Sequence, residues 1–132
     1  MNHLIFKRFR FWIPALIWMG IIFVFSSLPG PMPLVEPSAL KEWIGRVGHF
    51  LEYAGLAYWL YCGQVDGELT EGEVSIKVML ISFLGAVAYA LADEVHQIFV
   101  PGRTFQWLDL VVDAAGAAVS MVCVRMLERC GK

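Results

Sequence analysis

Ionisable and amide side chains stand inside or beside long apolar stretches of this 132-residue sequence. A charged side chain at the centre of a membrane helix costs about 2.5–3.5 kcal/mol on insertion scales, so residues in such positions are candidates for function. The candidate ligand-binding residues are His49, Glu52, Asp93, Glu94, Gln97, Arg103, Asp109 and Asp113.

The spacing of these residues indicates the chemistry that they could perform. His49 and Glu52 have i,i+3 spacing, which places both on one helix face, where they could act as an acid–base pair. Asp93 and Gln97 share a face in the same way, at i,i+4. Arg103 is expected to be the counter-ion of the carboxylates, or to bind a carboxylate or phosphate group of a ligand. The candidate catalytic residues are His49, Glu52 and Asp93, and whether the protein is an enzyme is left open.

Histidines and carboxylates together also suit a divalent metal ion. However, the sequence has no HExxH-like pair, and Glu94 and His96 have i,i+2 spacing, which places them on different helix faces. No Ser-His-Asp arrangement is recognisable either. The sequence therefore predicts no metal ligands and no cofactor.

The elements that must position these residues are long apolar helices. The chain is 58% hydrophobic and 17% charged, whereas soluble domains are about 45–50% apolar and about 25% charged. A helix that crosses a bilayer needs roughly 17–25 mainly apolar residues. The predicted fold is an all-α membrane protein, a compact bundle of four transmembrane helices in a single domain, residues 1–132. The predicted spans are 11–28, 45–63, 76–99 and 107–127.

The distribution of lysine and arginine predicts the orientation of this bundle, because cytoplasmic loops carry an excess of both. Seven of these residues fall on the side of the two termini and three on the other side, so both termini are expected in the cytoplasm. The polar residues of spans two, three and four then lie at one depth in the outer half of the membrane. For Asp109 and Glu94, the alternative is that they face the membrane interface. Residues 38–44 are expected to form a short interfacial helix.

Three segments around the candidate residues resemble the motifs of VanZ-like membrane proteins. Residues 46–53, RVGHFLEY, resemble the family's [KR]-x-x-H-F-x-E-Y signature, and residues 92–103, ADEVHQIFVPGR, resemble its D-E-x-x-Q-x-F-x-P-G-R signature. Residues 107–116, WLDLVVDAAG, are similar to its D-x-x-x-[ND]-x-x-G ending. The order of the motifs agrees, and the resemblance extends over about residues 11–127. Some members carry an Asp just before the basic residue of the first motif, where this chain has Gly45.

The resemblance implies a four-helix, multi-pass protein of the bacterial cytoplasmic membrane, and the family's founding member is associated with low-level resistance to the glycopeptide teicoplanin. The leading hypothesis is a cell-envelope protein whose outer-leaflet polar pocket binds a lipid-linked or peptide ligand and so contributes to teicoplanin resistance. One alternative is a membrane-embedded enzyme acting on a lipid-linked envelope precursor, and another is a structural membrane subunit. The expected partners are the lipid bilayer and a lipid-linked cell-wall precursor or a glycopeptide. The net charge of −2 offers no basic surface for nucleic acid, and no oligomeric state is predicted.

Overall fold

The described part of the protein is entirely helical. The computed structural model describes residues 2–30, 39–65 and 76–130, with side chains over 10–30, 39–65 and 76–127. The helices are α1, Asn2–Ser26; α2, Ala39–Val65; α3, Ile76–Gln97; and α4, Trp107–Cys130. No strand occurs in these ranges, so the prediction of an all-α fold is confirmed.

The start of α2 differs from the sequence-based expectation. The predicted interfacial helix of residues 38–44 is wrong as a separate element, because α2 runs without a break from Ala39 (Ser38 lies outside the described residues). Gly45 was expected to begin the second span, but a glycine in a helix costs only about 1 kcal/mol relative to alanine and does not by itself end it. The first turns of α2 therefore extend the predicted span of 45–63 at its amino-terminal end.

Helix α2 is the central element of the described bundle, since it packs against each of the other three, most extensively against α4. Helices α2 and α4 approach each other closely at Gly116, where a Cβ atom would overlap the carbonyl oxygen of Phe50. Glycine is required at this point because any side chain would push the two backbones apart. The buried residues around this contact include Tyr53, Leu56 and Ala117.

The connection between α3 and α4 is fastened to the end of α1. Residues after Gln97 continue in turn conformation, with the N–H of Val100 donating to the carbonyl of Gln97 at 3.0 Å. Gly102 adopts a φ of 76°, a conformation that glycine enters without steric cost. The N–H of Gly30 donates to the carbonyl of Pro101 at 3.0 Å. This hydrogen bond holds the end of α1 beside the turn from which α4 begins.

Every helix carries large apolar side chains on the outward surface of the bundle, whereas several of the buried residues are polar. Large apolar side chains are exposed along the outside, including Val24 at 60%, Leu84 at 60% and Val111 at 63%. Soluble monomers rarely expose apolar patches of more than a few hundred Å². This distribution, with apolar side chains outside and polar side chains inside, is the one expected in lipid.

Two of the described helices, α3 and the Trp107–Leu127 part of α4, are long and apolar enough to cross a membrane. Helix α1 contributes a shorter apolar stretch, Arg10–Ser26, and α2 carries charged residues in its first half. Membrane-spanning character is therefore supported for α3 and α4. The four-span arrangement, the cytoplasmic termini and the single domain over residues 1–132 stay predictions.

The close approach at Gly116 makes a testable prediction. Changing Gly116→Ala places a methyl group against the Phe50 carbonyl, so we expect a lower melting temperature in detergent, equivalent to about 1–3 kcal/mol. Gly20→Ala is the matched control, because nothing lies within 4 Å of its Cβ position. The control should be unchanged or slightly stabilised. Equal melting temperatures for wild type and Gly116→Ala would contradict the close packing of α2 against α4.

Candidate functional site

Seven of the eight predicted site residues come from three helices and converge at one end of the bundle, and the eighth, Arg103, lies in the connection between α3 and α4. Helix α2 supplies residues from its first half, α3 from its last turns and α4 from its first two turns. Because the connection between α3 and α4 is short, the end of α3 and the start of α4 necessarily lie at the same end. The packing of α2 between them brings its own polar residues to that end.

The closest side-chain pair joins α2 to α4. The Nδ1 atom of His49 lies 3.2 Å from Oδ1 of Asp113, a distance at which the ring N–H donates a hydrogen bond to the carboxylate. The Asp113 side chain is only 2% exposed, and that of His49 is 16% exposed. The geometry follows from the helix contact, because Phe50 neighbours His49 and Gly116 lies one turn after Asp113.

Glu94 is buried behind this pair and also organises the start of α4. It is 1% exposed, and its Oε2 accepts a hydrogen bond of 2.8 Å from the backbone N–H of Gln106. Gln106 in turn accepts the first hydrogen bonds of α4 from Asp109 and Leu110, so a carboxylate sits at the helix N-terminus, where the macrodipole favours a negative charge. The alternative that Glu94 faces the membrane interface is therefore wrong.

One oxygen of Glu94 remains without a partner. Its Oε1 is buried and has no hydrogen bond to any described residue. A nitrogen of His49, a carboxylate oxygen of Glu94 and one of Asp113 all lie within 4.8 Å of one another. We call these three residues the buried trio.

Asp93 and Gln97 form a second buried pair on α3. The Gln97 amide donates to Oδ2 of Asp93 at 3.2 Å, as their i,i+4 spacing allows. The row continues to Tyr89, whose hydroxyl donates to the carbonyl of Met19 on α1 at 2.8 Å. This row of residues therefore connects α3 to α1 and also carries the carboxylate of Asp93.

A cavity of about 260 Å³ opens beside these pairs. We call it the polar cavity, although one of its walls is apolar. Its apolar wall includes Ile22, Phe25 and Leu28 of the α1 end and Ile44 of α2. Its polar wall consists of Ser26, His49, Glu52, Asp93, Gln97 and Arg103.

Arg103 makes no hydrogen bond to a carboxylate in the described part of the chain, so the expected bidentate pairing is not found, but its charge still acts on Glu52 across the polar cavity. Its Nε donates to the carbonyl of Leu28 at 3.3 Å and its Nη2 to the carbonyl of Phe25 at 3.4 Å. These carbonyls lie at and just after the end of α1, where such groups lack partners within the helix. The arginine fork caps α1 while lining the polar cavity.

Asp109 lies apart from the polar cavity. Its Oδ1 is 3.8 Å from Nε of Arg46, and Nη1 of Arg46 is 3.8 Å from Oε2 of Glu42. Both are ion pairs without hydrogen bonds, because 3.8 Å exceeds hydrogen-bonding distance. Of the eight predicted site residues, five line the polar cavity, two complete the buried trio with His49, and Asp109 belongs to this outer ion-pair group.

Sequence reasoning missed two hydroxyl groups at the site. The hydroxyls of Ser26 and Tyr53 are buried and have no hydrogen bond to another described residue. Tyr53 had a detectable signal, because it stands at i,i+4 from His49 within the same motif. Ser26 had none, because a single serine near the end of an apolar helix is common.

The His49–Asp113 contact can be tested by a double-mutant cycle. We expect His49→Ala and Asp113→Ala to be coupled by about 0.5–3 kcal/mol in the free energy of unfolding, because each change removes the same hydrogen bond. Unfolding would be followed in detergent micelles with increasing SDS. Asp109→Ala replaces Asp113→Ala in the control cycle and should couple more weakly to His49→Ala. Equal coupling in both cycles would contradict a specific pair.

The comparison with known families confirms the resemblance drawn from the motifs. The family model described as VanZ/LLP1 matches residues 11–128. That range includes every residue of the polar cavity and of the buried trio. No curated protein sequence and no solved structure matches the chain significantly. The match extends over most of the chain, and the protein belongs to the VanZ/LLP1 family.

Proposed function

We propose that all four helices cross the bacterial cytoplasmic membrane and that the polar cavity binds the headgroup of a lipid-linked envelope precursor in the outer leaflet. The observation that carries the proposal is a cavity with one apolar and one polar wall, at one end of a bundle with an apolar outer surface. A lipid-linked headgroup has the same two-sided chemistry, because polar groups adjoin an apolar chain.

The size of the polar cavity favours a headgroup over a complete glycopeptide. Pockets that enclose drug-sized ligands have volumes of roughly 300–1,000 Å³, and this cavity has about 260 Å³. A sugar or phosphate group fits that space, whereas a whole glycopeptide antibiotic does not. Any contribution to teicoplanin resistance would then act through the precursor in the membrane and not by enclosing the drug.

The charges of the polar wall favour a ligand that carries both an anion and hydrogen-bond donors. Glu52 and Asp93 accept hydrogen bonds from hydroxyl or amine groups. Arg103 uses two N–H groups on backbone carbonyls, and a guanidinium has five, so three remain for a phosphate. Ser26 adds a buried hydroxyl without a partner among the described residues. A sugar phosphate meets all these groups at once.

The exposed surface supports insertion of the whole bundle. Helix α2 carries Glu42, Arg46, His49 and Glu52 in its first half, but its residues from Tyr53 to Val65 contain no charged side chain. The charged half lies at the end where the polar cavity opens, so it would lie near the headgroups. Helix α1 exposes apolar side chains such as Ile17 at 58%. These features suit lipid contact for α1 and α2 as well.

A membrane-embedded enzyme is the second candidate, favoured by the His49–Asp113 pair next to the polar cavity. A histidine oriented by a buried carboxylate is a common form of general base. Turnover of a lipid-linked precursor by purified protein, abolished in a folded Asp113→Asn variant, would establish this role. For a purely structural subunit, changes in the polar cavity should lower the melting temperature, and no folded variant should lose a function.

Binding of a polyprenyl-diphosphate-linked amino sugar to the protein in nanodiscs tests the leading proposal. We expect saturable binding to wild type. The affinity of Glu52→Gln should be lower by about tenfold or more, because a hydrogen bond to a charged acceptor is lost. Glu42→Gln is the matched control, since Glu42 lies on the same helix but outside the cavity. Equal binding by wild type and Glu52→Gln would exclude the polar cavity as the headgroup site.

The cellular consequence can be measured as teicoplanin susceptibility, with vancomycin for comparison. In a sensitive host, we expect wild type and Glu42→Gln to raise the inhibitory concentration of teicoplanin, and Glu52→Gln to leave it at the empty-vector level. Membrane levels of the three proteins must be matched. No protection by correctly inserted wild type would remove the resistance role, while leaving headgroup binding to be judged by the nanodisc measurement.

A further inference from the structure

The buried trio has the donor set of a metal site, and its members come from three different helices. We infer that His49, Glu94 and Asp113 bind a divalent cation of the Mn²⁺ or Zn²⁺ class. One imidazole nitrogen and two carboxylate oxygens lie within 4.8 Å of one another. Two of the three residues are almost completely buried. This inference goes beyond headgroup binding and does not depend on it.

The unpartnered oxygen of Glu94 independently points to a ligand at this place. Glu94 is only 1% exposed, and its Oε1 has no hydrogen-bond donor among the described residues. Leaving a buried acceptor without a partner is unfavourable, and more so if the group is charged. The carboxylate that carries this atom faces His49 and Asp113. A cation between the three side chains would satisfy it.

Hydrogen bonds within the trio provide no donor for Oε1 of Glu94. The His49–Asp113 hydrogen bond uses Nδ1 and Oδ1, and the Gln106 N–H occupies the other oxygen of Glu94. Two carboxylates and one histidine in a nearly closed site also have fewer N–H donors than acceptor positions. A divalent cation would balance the charge of the two carboxylates.

The donor set indicates the class of cation. Imidazole nitrogen suits Zn²⁺ and other transition metals, whereas carboxylate oxygen also suits Mn²⁺. Ca²⁺ and Mg²⁺ prefer sites made only of oxygen ligands. With three protein ligands, the cation keeps open coordination positions, as in catalytic metal sites. His49 also lines the polar cavity, so the cation would adjoin the proposed headgroup site.

The test uses purified full-length protein with a tag that contains no histidine, stripped with EDTA and dialysed. Mn²⁺ is titrated in detergent without added lipid, and free Mn²⁺ is followed by its electron paramagnetic resonance signal. We expect about one Mn²⁺ per chain, displaced by Zn²⁺. Pulsed measurements on the bound ion should show the nitrogen coupling of one imidazole. Absence of stoichiometric binding, or bound Mn²⁺ without nitrogen coupling, would overturn the inference.

Variants assign the site and separate it from headgroup binding. Glu94→Gln and Asp113→Asn should each lose stoichiometric Mn²⁺ binding, whereas Glu52→Gln and Asp109→Asn should retain it, because neither residue belongs to the trio. If Glu94→Gln fails to fold, the folded Asp113→Asn variant decides the question. Retained binding in both folded trio variants would overturn the site. Because no lipid is present, these results are independent of the nanodisc measurement.

Discussion

The contact between the backbones of α2 and α4 at Gly116 determines where the polar groups of this protein meet. A side chain at that position would collide with the carbonyl of Phe50. Because the helices touch there, His49 and Asp113, close to the contact in sequence, lie at hydrogen-bonding distance. Glu94 joins them because it holds the backbone of Gln106 at the start of α4. The buried trio is therefore a consequence of helix packing and helix capping together.

A second constraint acts on the end of α1. Its carbonyl groups need donors after the helix ends, and Arg103 adds donors for those of Phe25 and Leu28 from the connection between α3 and α4. The hydrogen bond from Gly30 to Pro101 adds to this attachment. The same attachment places the apolar side chains of α1 opposite the polar groups of α2 and α3, which creates a cavity with two unlike walls. The shape of the proposed headgroup site thus depends on residues with structural roles.

The sequence was sufficient to predict the helices and most of the clustering, for physical reasons. Long apolar runs without alternation form helices, and the cost of charge in lipid predicts that Glu52, Asp93 and Asp113 point into the bundle. Both inferences depend on local sequence patterns and on the large free-energy cost of placing charge in lipid. The continuous start of α2 was not predicted, because Gly45 resembles a boundary and helix continuation depends on packing.

Contacts between distant residues were the part that the sequence could not supply. Arg103 could pair with a carboxylate or with carbonyls, and only the fold of the α3–α4 connection selects the carbonyls. The same holds for Asp109, which lies beside Arg46 and not in the polar cavity. The grouping of His49, Glu94 and Asp113 was not anticipated because spacing arguments search one helix for i,i+4 pairs, whereas the buried trio takes one residue from each of three helices.

The proposed headgroup site requires a polar cavity that opens to the outside of the membrane between otherwise apolar helices. Labelling of single cysteines with a charged, membrane-impermeant maleimide tests it most directly, in intact cells without an outer membrane and with the native cysteines replaced by alanine. Gly48→Cys lines the polar cavity and meets no atom within 4 Å, whereas Val111→Cys is on the apolar outer surface. We expect labelling of Gly48→Cys from outside and none of Val111→Cys. Labelling of Gly48→Cys only after the membrane is permeabilised would contradict it.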